Sequence, residues 1–239
     1  MTTAKTEFGT GPLFRAASLI YGVMVCHLLL VLVNLPLVLS PLLVSLISAA
    51  AGSPASTTAA VAVVLLCCLP LGPAVVAAAA TCNKIISATE GSVARLFLRA
   101  LKGNAREALA VWVPAFGVFA LLAFNLLNLG AASTPVDPAL RVCLLLLAVL
   151  VCTVTINALV IVSRFRFRTI DVFRLAFSCL GAQKRASLGN AAIIVLGAWA
   201  LAQTSVFVLL FTAGAVVYLV CLNSRPLLRF VEDKFTTAA

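Results

Sequence analysis

Apolar residues in this chain run in long blocks separated by short polar or basic stretches. A helix needs about 20 apolar residues to cross hydrocarbon, and in lipid each segment must satisfy its own backbone polar groups, so such blocks predict helices. The strict alternation of a membrane β-barrel is absent. The first block, 16–51, exceeds one span and is interrupted by Pro36 and Pro41, which predicts a helix over 17–40 and a kinked extension or interfacial turn beyond it. A cleaved leader is disfavoured, because its apolar core would be only about 7–15 residues long. A turn around Pro54 leads to a second span over 58–82. A third over 108–130 and a fourth over 139–162 flank a turn holding Pro135, Asp137 and Pro138. The last block, 188–223, is too long for one ordinary helix and divides into short spans over 188–203 and 206–223, with a turn near Gln203 and Thr204.

Charge decides how many of these blocks cross. Four basic clusters stand beside them: Lys5 and Arg15; Lys84, Arg95, Arg99, Lys102 and Arg106; Arg164, Arg166, Arg168, Arg174, Lys184 and Arg185; and Arg225, Arg229 and Lys234. Arg141 alone lies elsewhere. Lys and Arg are held on the cytoplasmic side during insertion, so the clusters predict six spans with both termini inside; five would leave the basic tail outside. The expected fold is therefore all-α, a polytopic transmembrane helix bundle forming a single domain over 1–239 in a cell membrane. Between the second and third spans, Val93, Leu96, Phe97, Ala100 and Leu101 fall on one helical face and Arg95, Arg99, Lys102 and Arg106 on the other. That pattern predicts an amphipathic helix lying on the inner membrane surface. Segment 163–188 is similar: Arg174-Leu175-Ala176-Phe177-Ser178-Cys179-Leu180 aligns with Arg95-Leu96-Phe97-Leu98-Arg99-Ala100-Leu101. A second interfacial helix is expected there, and either a weak internal duplication or a chance likeness between two basic amphipathic stretches explains the match.

Composition removes other classes. With 63% hydrophobic and 10% charged residues and a mean hydropathy of +1.18, the chain cannot be a water-soluble domain. The net charge of +10 carries no aromatic-interleaved basic surface, so nucleic acid is not an expected partner. The basic residues Arg95, Arg99, Lys102, Arg106, Arg164, Arg166, Arg168 and Arg174 instead suit anionic lipid of the inner leaflet, or a docked partner such as a membrane transport complex or a homo-oligomer. The seven acids, Glu7, Glu90, Glu107, Asp137, Asp171, Glu232 and Asp233, all fall at interfaces or termini. Enzymes and proton-coupled transporters in membranes place ionisable groups inside the bundle, so this distribution argues against both. No catalytic residue, cofactor or metal is expected, and the eight cysteines read as small buried apolar residues.

Three polar features remain. His27, one third of the way into the first span, reads either as a proton or ligand site or as a helix-to-helix hydrogen bond; the second is preferred, because no titratable partner can be named. Among the amides Asn34, Asn83, Asn125, Asn128, Asn157 and Gln203, the trio Asn125, Asn128 and Asn157 serves either as interhelical glue or as contacts for a polar solute. Pro70, Gly72 and Pro73 break the second span in mid-membrane, and neighbouring helices must then cover the freed carbonyls.

The order Asn34-Leu35-Pro36, Leu69-Pro70-Leu71-Gly72-Pro73-Ala74, Thr89-Glu90-Gly91-Ser92-Val93, then Phe97 and Arg99-Ala100-Leu101-Lys102-Gly103-Asn104 resembles the YesL-like family of bacterial integral membrane proteins. The likeness is densest over 70–112, and the chain departs from the pattern by an insertion at about 41–58. The resemblance implies an accessory inner-membrane role linked to carbohydrate uptake and transfers no catalytic residue. Under it Pro70, Gly72, Pro73, Phe97 and Asn104 are architectural.

Overall fold

A computed structural model of the chain describes residues 12–52, 57–87, 91–129, 137–203 and 206–235. The turns around Pro54 and Pro135, the Thr89-Glu90 lead-in, the turn at Thr204 and the Lys5 and Glu7 positions lie outside the described residues. Within them the order is α1 (Pro12–Val33), α2 (Leu35–Val38), α3 (Ser40–Ala51), α4 (Thr57–Cys67), α5 (Leu71–Ile86), α6 (Val93–Asn128), α7 (Asp137–Val162), α8 (Thr169–Ala182), α9 (Lys184–Gln203), α10 (Val206–Asn223) and α11 (Arg225–Phe235). Every one of these elements is helical, as apolar segments in lipid require.

Four stretches are long and apolar enough to cross a membrane: Ala16–Val33, Ala62–Ile86, Val93–Leu126 and Pro138–Val162. A fifth is added if Thr212–Asn223 and Arg225–Lys234, bent by 46°, count as one. The membrane-protein class therefore stands, and by length and apolarity alone the described helices supply four spans, or five with the bent pair. Large apolar side chains face outward as well as inward; Leu28, Phe124, Leu146 and Trp199 are each 63–67% exposed, the inverse of a soluble surface.

Three boundaries differ from expectation. The first helix ends at Val33 rather than near residue 40, and α2 and α3 each begin with a proline in their first turn. Proline supplies no N–H and is tolerated in a helix's first turn, so each new helix starts just ahead of its proline, with Asn34 and Leu39 as the joints before Pro36 and Pro41. The amphipathic segment over 93–106 and the third span are one continuous helix, α6, of 36 residues, roughly 54 Å long. Gly103-Asn104 does not end it: neither residue removes a backbone donor, and the Gly103 carbonyl also accepts a hydrogen bond from the Arg166 guanidinium at 3.3 Å. A separate first amphipathic helix is thus replaced by the basic end of a long one, whereas the second basic segment holds a helix of its own, α8. Finally, the basic tail is itself a helix, α11, with Leu227, Leu228 and Val231 buried and Arg225, Arg229 and Lys234 exposed.

The core depends on small residues. Ala74, Ala77, Ala78 and Ala79 of α5 are at most 1% exposed and let neighbouring helices approach closely. Cys26 of α1 lies 4.0 Å from Cys82 of α5, and the Cys221 thiol of α10 donates to the Ala79 carbonyl at 3.7 Å, so these thiols fill contacts between helices. At Gly214 the backbones of α1 and α10 meet: an added Cβ would fall 2.9 Å from the His27 Cα, and that backbone atom cannot swing aside. A Cβ on Gly117 meets nothing within 4 Å.

Alanine favours a helix over glycine by about 1 kcal/mol, whereas overpacking a tight contact costs about 1–3 kcal/mol. In thermal unfolding of the detergent-purified protein, Gly117→Ala is therefore expected to be neutral or stabilising and Gly214→Ala destabilising; equal shifts would remove the close approach assigned to α1 and α10.

Candidate functional site

The broken second span positions the centre of the molecule. α4 stops at Cys67, residues 68–70 turn, and Pro70 precedes α5. Prolines at 70 and 73 cannot donate to carbonyls one turn back, so backbone acceptors are freed at membrane depth. The carbonyls that lose those donors are Leu66 and Leu69; the Cys68 carbonyl between them accepts the Leu71 N–H at 3.2 Å and, across helices, the indole Nε1–H of Trp112 in α6 at 3.0 Å. Trp112 comes this close because residue 72 is glycine; a Cβ there would lie 2.4 Å from the Trp112 Cβ. Pro70, Gly72 and Pro73 thus act together with Trp112, a residue that sequence reasoning did not single out.

Beside this break lies a cavity of about 370 Å³, walled by α1, α2, α5, α6, α7 and α10. Its lining is aliphatic and aromatic apart from Asn34, Cys152, Thr155 and Trp112, and no charged residue faces it.

The amides separate. α6 and α7 run antiparallel, since Arg141 near the start of α7 donates to the Leu129 carbonyl at the end of α6, and Arg166 just beyond α7 donates to Gly103. Asn125 therefore lies toward the Arg141 end, where it is exposed and bonds its own helix at Leu121. Asn157 lies 16 residues beyond Arg141 in the sequence, roughly 24 Å along α7. The side chain of Asn128 is outside the described set. Among the described residues, Asn125 and Asn157 stand toward opposite ends of the α6–α7 pair, and neither lines the central cavity.

Asn157 instead enters a buried network toward the Arg166 end. Its Nδ2 donates to Ser187 Oγ at 3.3 Å, and its Oδ1 accepts from Asn190 at 2.9 Å. Asn190 also donates to Ser224 at 3.0 Å and accepts from Asn223 at 2.8 Å, and Ser187 donates to the Cys179 carbonyl of α8 at 3.2 Å. The network ties α7, α8, α9 and α10 at one level. Asn190, Ser187, Asn223 and Ser224 were missed; the available signal was Ser187 and Asn190 three apart at the start of the last apolar block, which puts them on one helical face. His27 takes its bland role, its Nδ1 accepting the Gly214 N–H at 3.0 Å.

The basic candidates share one end. Arg95, Arg99, Lys102 and Arg106 line the exposed face at the start of α6, while Phe97 on the opposite face is fully buried. Arg164, Arg166 and Arg168 alternate outward with the half-buried Phe165 and Phe167, whose rings stack at 5.8 Å, in a strap joining α7 to α8. Arg164 pairs with Glu232 of α11 at 2.8 Å, both side chains nearly half exposed, and Arg174 extends the exposed face along α8. Solvent weakens such a pair to at most about 1 kcal/mol, so it marks proximity more than stability. Arg225 and Arg229 flank an open groove of about 470 Å³ beside Gln183 and Phe230.

Compared with family models, curated proteins and solved structures, the chain matches none.

Each buried polar group left unpaired costs about 1–3 kcal/mol. Asn190→Leu, which takes one partner each from Asn157, Asn223 and Ser224, is expected to lower the unfolding temperature, while Asn125→Leu stays near wild type; similar behaviour of the two variants would show that the network is not structural.

Proposed function

We propose that this chain is a non-enzymatic protein of the bacterial inner membrane, crossing it six times with both termini in the cytoplasm, and that it serves as an accessory or regulatory component of carbohydrate uptake. The observation that carries the reading is the charge distribution. Exposed Arg and Lys side chains from α6, the 163–168 strap, α8 and α11 gather at one end, and the cavity at the centre is lined by uncharged groups. Such an end attracts anionic lipid headgroups at about 1 kcal/mol for each cation near the surface, and it offers a docking face to a cytoplasmic or membrane partner. The six-span count is supported by parity: α9 and α10 occupy the two short stretches in the last apolar block, and an even number of crossings keeps Arg225, Arg229 and Lys234 with the other clusters. The carbohydrate link rests on the YesL-like resemblance over 70–112. A polar-solute path is less favoured, because the central cavity is apolar and Asn125 is remote from Asn157.

A photo-crosslinker placed at Arg168 or Arg229 in the native membrane is expected to capture a component of a sugar-uptake system, while one placed at Arg141 is not. Capture of lipid alone at all three positions would sink the accessory role. Flux of a sugar or polyol through vesicles holding only this protein would replace it with the transporter reading.

A further inference from the structure

We propose that the central cavity is a binding site for a neutral amphiphile, an aliphatic chain ending in a single hydroxyl group, which enters from the bilayer and donates its hydroxyl hydrogen to Asn34. At about 370 Å³ the cavity falls within the range of small-molecule sites, roughly 300–1,000 Å³. With about 30 Å³ for a water-sized group, it holds a chain of about a dozen heavy atoms. Its walls are almost wholly apolar, and cavities of that character stay dry, so the occupant must come from the hydrocarbon around the helices.

The wall also specifies which polar group the occupant carries. Three lining side chains have strong N–H or O–H donors, and each is already committed to a backbone carbonyl: Asn34 Nδ2 to Leu30 at 2.8 Å, Trp112 Nε1 to Cys68 at 3.0 Å, and Thr155 Oγ1 to Val151 at 2.7 Å. What is left over is the Asn34 Oδ1 acceptor and the second Nδ2 hydrogen of the same amide, a pair that one hydroxyl group can serve. Asn34 is 95% buried, and among the described residues its Oδ1 has no hydrogen-bond partner. The amide cannot be turned to relieve this without losing the bond to Leu30. A buried acceptor in an apolar wall calls for a donor, and a hydroxyl is the smallest neutral group that supplies one. Carboxylates and phosphates are excluded by the same inventory, since the wall offers no cation to pair with a buried charge.

Trp112 lines the cavity and is therefore a built-in reporter. The chain has two tryptophans, and Trp199 is 63% exposed and not in the wall, so Trp199→Phe leaves Trp112 as the single fluorophore. The full-length Trp199→Phe protein in phosphatidylcholine vesicles would be titrated with bromoundecanol and with bromoundecane, whose bromine quenches indole on contact. Saturable quenching is expected with both, at an alcohol concentration about three- to tenfold lower than that of the alkane, the preference one hydrogen bond gives. Asn34→Leu should bring the two curves together. Val216→Phe, which fills the cavity from α10, should abolish saturable quenching by either probe. Quenching that rises without saturating would mean partition into bilayer and nothing more, and would overturn the proposal; so would an alcohol preference that survives Asn34→Leu. If Asn34→Leu fails to fold, Val216→Phe and the alcohol preference of the Trp199→Phe protein decide together: retained saturation in the former or equal affinity for alcohol and alkane in the latter overturns the proposal, and lost saturation with a kept preference upholds it.

Discussion

A backbone carbonyl without a donor has no recourse inside hydrocarbon, and the chain meets that constraint where its second span is broken. Pro70 and Pro73 remove donors, the Cys68 carbonyl at the break takes the Leu71 N–H at 3.2 Å, and the indole of Trp112 adds a second bond to it from α6 at 3.0 Å. The bond needs α6 to lie against the α4–α5 joint, and Gly72 permits that approach by having no side chain in the way. One break therefore fixes the separation and register of two helices. The cavity beside it is the space that the interrupted helix leaves between Leu71, Val75 and Trp112 and the facing helices.

Polar side chains elsewhere obey the same rule at different depths. Toward the basic end, where α7 finishes and α9 begins, Asn157, Asn190, Asn223, Ser187 and Ser224 turn inward and satisfy one another. Such bonds between membrane helices contribute about 1–2 kcal/mol at most, yet each one demands a particular alignment, so the network fixes geometry more than it adds stability. Charged groups are kept farther out. The arginines of α6, the 163–168 strap and α8 are exposed, while Phe97, Phe165, Phe167, Val172 and Leu175 beneath them anchor that end to the bundle.

Much of this is legible in the sequence because it follows from block length and charge. Helical character, the positions of α5, α7, α9 and α10, the break at Pro70 and the opposed faces of Phe97 and Arg99 all come from local pattern. What is not legible depends on contacts between distant segments. Gly103-Asn104 has the local signature of a stop, yet α6 runs through it, since nothing there removes a donor and Arg166 adds a bond from outside the helix. Asn125 and Asn157 look equivalent as amides in spans; only the antiparallel pairing of α6 and α7 sends them to opposite ends. The partners of Asn190 lie more than 30 residues away on other helices, and no local pattern announces them.

The claim on which the rest hangs is that apolar helices cross lipid and leave every basic cluster on the cytoplasmic side. All five lysines belong to those clusters, and Lys84, Lys102, Lys184 and Lys234 are exposed, so the native chain carries its own labels. With a membrane-impermeant amine reagent, intact cells should give no modification at these four lysines, and opened cells should give all four. An Arg141→Lys variant should gain labelling in intact cells. Modification of Lys84, Lys102, Lys184 or Lys234 from outside an intact cell would contradict the shared side.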